Sequence, residues 1–242
     1  MFIINKMGKI CFFVIALVLL FGVLAVAGAV SDEKPEKITF IHYKDGKVKV
    51  IDSKAKPTTN TCYKFLGAKL PVTARYVINP TNPDGLNESL ALWLISSGAE
   101  EWDRYTSAEL FDDNFGIDFS ADWDDVTPDG RNEFSFGAYP QSGVIAVTNI
   151  WVSGRGKNKL IVDFDVLFNT ASTWQWGDAT VNPALMDLQN IATHEIGHGL
   201  GLADLYNTCT AETMYGYSSE GDVGKRTLNS GDIVGIRSLY GN

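Results

Sequence analysis

The sequence predicts an α+β domain. Three strand-like runs, "NEFSFGAY", "GVIAVTNIWV" and "LIVDFDVLFN", stand together in mid-chain, rich in β-branched and aromatic residues. A long i, i+3, i+4 stripe precedes them, and two shorter helical stretches follow. Strands and helices that do not alternate strictly suit α+β and not a doubly wound sheet.

At the N-terminus, Lys6 and Lys9 precede the uncharged run Ile10 to Val30, which ends in the small residues Ala25 to Ala29. Residues 1–30 therefore read as a signal peptide. The same run is long enough to be an uncleaved membrane anchor. Both readings export residues 31–242, to the medium or the cell surface. Beyond Cys11 the chain has only Cys62 and Cys209. An even count in an exported chain favours a disulfide between them. A thiolate latch from Cys62 onto a metal is the alternative.

Residues 31–60 form a short lysine-rich, pro-like segment and linker. "KITFIHYKDGKVKVID" alternates on both sides of Asp45 and Gly46, as a small hairpin would. His42 reads as an ordinary strand residue. Residues 32–57 carry seven Lys against five acids, whereas residues 58–242 have a net charge of −13, so the two regions could attract each other. The overall charge of −9 argues against a nucleic-acid surface.

Residues 61–242 read as the main domain. "ARYVINP" is a short strand, and Asn87 is placed to cap a long helix whose stripe is Ala91, Leu94, Ile95, Gly98, Ala99, Trp102 and Tyr105. Residues 111–133 hold seven Asp and one Glu, a solvated acidic loop or a calcium site without EF-hand spacing. Pro183 suits the first turn of a second helix ending at Gly201. A last helix presents Ile233, Ile236 and Leu239 on one face.

"HEIGHGLGLAD", His194 to Asp204, carries the chemistry. On a helix His194 and His198 project from one face, as two ligands of one zinc must. Glu195 points about 100° round the helix, where it reaches a water and not the metal. Gly201 permits the left-handed turn that brings Asp204 back as third ligand. The plainer readings are two satisfied core histidines and an Asp204 that only supports them. The chain has three histidines in all, so no spare one outside the lysine-rich segment could complete the site.

With these residues the chain resembles the metzincin metallopeptidases, and among them the matrixins. The resemblance covers most of residues 70–242. Met214 in "ETMYGY" looks like the Met-turn below the zinc, and "GDIVGIRSLYG" like the C-terminal helix. The Asp in place of a third His is similar to the snapalysins. The resemblance implies a twisted, mostly parallel sheet with one antiparallel edge strand. It also implies an extended peptide aligned on Gly143, Val144, Ile145 and Ala146, and a pocket walled by Tyr215 and Tyr217. Val147 stands where a structural zinc would have a histidine, which implies one catalytic zinc. The implied activity is that of a monomeric zinc endopeptidase acting on extracellular proteins or peptides, with Glu195 as general base. The alternative is a non-catalytic surface module with a structural zinc.

Overall fold

A computed structural model describes residues 34–45, 61–206 and 208–242. The apolar run 10–30, the second half of the expected hairpin and the linker lie outside the described residues. In chain order the described elements are β1 (Glu36–Lys44), β2 (Val77–Ile78), α1 (Glu88–Asp103), β3 (Gly116–Ile117), β4 (Glu133–Gly137), β5 (Val144–Ser153), β6 (Leu160–Asn169), β7 (Trp176–Gly177), β8 (Met186–Asp187), α2 (Leu188–Gly199), β9 (Tyr217–Ser218) and α3 (Ser230–Tyr240). Among the described residues no helix is long and apolar enough to cross a membrane.

Seven strands form one sheet in the order β3-β2-β4-β6-β5-β1-β9. β3, β2, β4 and β6 are parallel, and β5 runs against β6. The mostly parallel sheet with one antiparallel strand is therefore present. One expectation changes: β5 is not an edge, because β1 pairs along it from Glu36 opposite Val152 to His42 opposite Ala146. The near-continuous apolar run of β5 is buried from Val144 to Val152.

α1 begins where Asn87 accepts the Leu90 amide at 3.1 Å. Its stripe is buried from Ala91 to Trp102, whereas Tyr105 lies past the helix end and is half-buried, and Trp102 Nε1 donates to the Thr193 carbonyl of α2 at 2.8 Å. Gly98 permits the close crossing, since a Cβ there would stand 3.0 Å from the Thr193 nitrogen. Burying a side chain such as Leu94 or Ile95 contributes about 1.5–3 kcal/mol.

α2 starts later than Pro183 suggests. Asp187 is its N-cap, accepting from the Asn190 amide at 2.8 Å, and Pro183 lies in the turn before it. Asp187 outcompetes proline here because its carboxylate also accepts from the Ala179 amide and from Arg226. The helix stops at Leu200, and Gly201 takes φ +102°.

Cys62 and Cys209 form a disulfide, with Cα atoms 5.5 Å apart and 147 positions apart in sequence. This removes Cys62 as a metal latch. In the chain-entropy picture such a loop stabilises by roughly 4–5 kcal/mol. The acidic stretch is not simply solvated. Its Asp124 and Asp129 approach the buried Asp163 of β6, with ligand atoms within 4.8 Å of one another.

Candidate active site

α2 presents both histidines of the motif toward the loop that follows it. His194 Nδ1 lies 2.7 Å from the Thr213 carbonyl, and His198 Nδ1 lies 3.0 Å from the Leu202 carbonyl. A carbonyl only accepts, so each Nδ1 carries the hydrogen and each Nε2 offers a lone pair. Those lone pairs meet at Asp204. Its Oδ1 is 3.1 Å from Nε2 of His194 and 3.4 Å from Nε2 of His198.

The turn at Gly201 makes that approach possible. A Cβ there would stand 2.3 Å from the Ala68 carbonyl oxygen, so only glycine fits. Tyr206, which no motif marks, donates its hydroxyl to Asp204 Oδ2 at 3.0 Å. Met214 lies under the helix, where its sulfur would be 2.3 Å from a Cβ on Gly197.

The electrostatics describe a site short of protons. Burial, with His42 and Lys225 nearby, pushes His194 down to about 3. Burial opposes a charge on His198, but Asp204 holds it above its ordinary value. Burial also opposes a charge on Asp204, yet His198 and His194 keep it well below the usual carboxylate range. Two ring nitrogens and one carboxylate oxygen thus face one another. That donor set suits zinc.

Glu195, the next residue of the helix after His194, is fully buried. Thr148 of β5 donates to its Oε2 at 2.6 Å, and His42 Nδ1 lies 2.8 Å from its Oε1. His42 is thus not an ordinary strand residue, because its ring is buried on the site. Phe40, two residues earlier, stacks on His198 with centroids 3.9 Å apart. The scarcity of histidine was the only signal in the sequence that pointed to His42.

Of the residues expected to bind substrate, Val144, Ile145 and Ala146 are buried beside β1, and Gly143 accepts the Lys44 amide at 2.8 Å. Tyr215 and Tyr217 are half-buried, with rings 5.7 Å apart. They line a cavity of about 460 Å³ together with Glu212, Asp222 and Lys225, so its wall is not purely apolar. Lys225 is buried, which lowers its ammonium to about 8, and it donates to the Tyr215 carbonyl.

Residues 155–241 match the matrixin family model. The chain is also similar to the hatching enzyme of Paracentrotus lividus, with 33% identity over 137 residues. That alignment covers 55% of this chain and 21% of the relative, so the chain spans about a fifth of the protein it matches. The fold, the clustered histidines and these two likenesses together support a matrixin-like metallopeptidase domain, with zinc as the metal that the likeness implies.

Proposed function

We propose that this chain is a zinc-dependent endopeptidase of extracellular proteins or peptides. Residues 1–30 serve as signal or anchor, 31–60 as a pro-like segment and 61–242 as the catalytic domain. The convergence of His194 Nε2, His198 Nε2 and Asp204 Oδ1, with Glu195 beside them, carries the reading. These three residues would hold one zinc, as two imidazoles and a carboxylate do in known catalytic sites. Zinc supplies Lewis acidity there, lowering the pKa of water and polarising a peptide carbonyl.

The chain's own groups do the rest. The Thr213 and Leu202 carbonyls fix both ring orientations, and Tyr206 steadies Asp204. Glu195 accepts a proton from the attacking water and delivers it to the leaving amine. Thr148 orients that carboxylate from β5. With β1 displaced from β5, Gly143, Val144, Ile145 and Ala146 would align the peptide as an added strand, and Tyr215 and Tyr217 would receive the side chain after the cut.

The test is zinc content and peptide cleavage by the exported chain and two variants. One zinc per chain is expected, kept in Glu195→Gln and lost in Asp204→Ala, with cleavage abolished in both. Cleavage that survives Glu195→Gln and a chelator would overturn the mechanism.

A further inference from the structure

Lys225 is a buried cation beside the proposed site, with only 4% of the residue exposed. Its amide donates to Asn190 Oδ1 at 2.7 Å, which ties it to α2 one turn before His194. The next residue, Arg226, is locked onto Asp187 and Asp178. The backbone at Lys225 is therefore fixed, and its side chain reaches the loop after Met214. There its ammonium donates to the Tyr215 carbonyl. Its charge is felt at the site, since it helps to push the His194 pKa down.

An ammonium has three hydrogens to donate, and away from water it needs a counter-charge. Lys225 gives one hydrogen to a neutral carbonyl, and among the described residues no carboxylate pairs with it. Burial lowers it to about 8, although Asp204 and Asp222 favour its charge. The carboxylates that share its cavity are engaged elsewhere. Glu212 Oε2 accepts the Gly231 and Asp232 amides at 2.9 and 3.1 Å. Asp222 accepts the Gly224 amide at 3.1 Å and the Ser218 hydroxyl at 3.0 Å. The third, Asp45, directly follows β1 and leaves with it when the strand is displaced. The wall that receives the side chain after the cut thus carries a cation that lacks its anion.

We propose that Lys225 sets the specificity of this cavity by taking the carboxylate of a substrate glutamate or aspartate, so that the enzyme cuts on the amino side of acidic residues. The rings of Tyr215 and Tyr217 pack on the methylenes of that side chain, and the ammonium meets its acid group. A divalent metal ion at the histidines would offset the charges of Asp204 and Glu195, so the site itself would not repel an arriving acid. This selectivity rests on the zinc-peptidase reading above.

The test offers a library of synthetic peptides of random sequence to the exported chain, to Lys225→Met and to Lys225→Arg. Mass spectrometry reads the residue on the amine side of each cut. In wild type, Glu and Asp should exceed Gln and Asn there by at least ~10-fold, relative to their abundance. Lys225→Arg keeps the charge and should keep the excess. Lys225→Met should lose the excess yet still cut before uncharged residues, which damage to the fold alone would not produce. Each ratio is taken within one protein, so it does not depend on how many molecules have β1 displaced. No acidic excess in wild type, or an excess that survives Lys225→Met, overturns the proposal and leaves the peptidase reading intact. Should Lys225→Met fail to fold, the wild-type profile decides in the same two directions. A wild-type chain that binds no zinc overturns both readings.

Discussion

Thr148 Oγ1 donates to Glu195 Oε2 at 2.6 Å, joining the central strand of the cleft to the proposed base. Both groups are fully buried. Thr148→Val keeps the shape and removes the donor. A hydrogen bond to a charged group is worth about 1.5–3 kcal/mol, and about 1.4 kcal/mol is tenfold in rate. Thr148→Val should lower kcat about tenfold with little change in KM. Steady-state kinetics check this; an unchanged kcat would remove Thr148 from the machinery.

Tyr206 should tune the metal through Asp204. Its hydroxyl holds Asp204 Oδ2, and its ring lies against Gly216, where a Cβ would come within 2.3 Å. Partners of this kind typically change metal affinity by about 10–100-fold. Tyr206→Phe should therefore weaken zinc binding about tenfold without unfolding the domain, and Gly216→Ala should weaken it by displacing the ring. Zinc titration against a competing chelator measures both. Unchanged affinity in Tyr206→Phe would mean that Asp204 needs no support.

The central motif was legible because its geometry is local. The spacing of His194, Glu195 and His198, the turn at Gly201 and the return of Asp204 lie within eleven residues, and helix periodicity decides their directions. The stripe of α1 and the strands β4, β5 and β6 were legible for the same reason. His42 was not, because it meets Glu195 across 153 positions. Alternation marks β1 as a strand but does not name its neighbour. Asp163 and Asp165 defeat the pattern in another way. They alternate with Val162 and Phe164 as solvent-facing residues would, yet both are buried. Asp187 was passed over for Pro183 because its value as a cap depends on Arg226, which is 39 residues away.

The pair of Asp187 and Arg226 should be a sensitive ion pair of the fold. Arg226 Nε and its terminal nitrogen contact the two oxygens of Asp187 at 2.8 and 2.6 Å. Asp187 is fully buried, and it also caps α2. Removing one partner of a buried pair typically costs about 3–5 kcal/mol. Asp187→Ala should lose about that much in denaturant unfolding, and Asp187→Asn less, since its oxygen still caps the helix. Loss below about 1 kcal/mol in the alanine variant would mark the pair as a surface-like contact.

Asp165 should make the fold less stable as pH rises. Burial, and then the charges of Asp163, Asp124 and Glu133, push its pKa far above the carboxylate range, and neither of its oxygens has a donor among the described residues. Burial likewise raises Glu133 to about 7. A carboxyl with a raised folded pKa binds its proton more tightly folded than unfolded. Its contribution is therefore fully present below the unfolded value of about 4, and is lost as pH rises toward the folded value. Asp165→Asn removes that loss. The melting temperature of the variant minus that of wild type should be near zero below about pH 4 and increasingly positive toward about pH 8, in buffer without added calcium. The comparison cancels any release of zinc in acid, since both proteins share the histidine site. A variant less stable than wild type at about pH 8 would reverse the sign. Asp165 would then be ionised and held by a bound cation, and clustered carboxylate oxygens of this kind suit calcium.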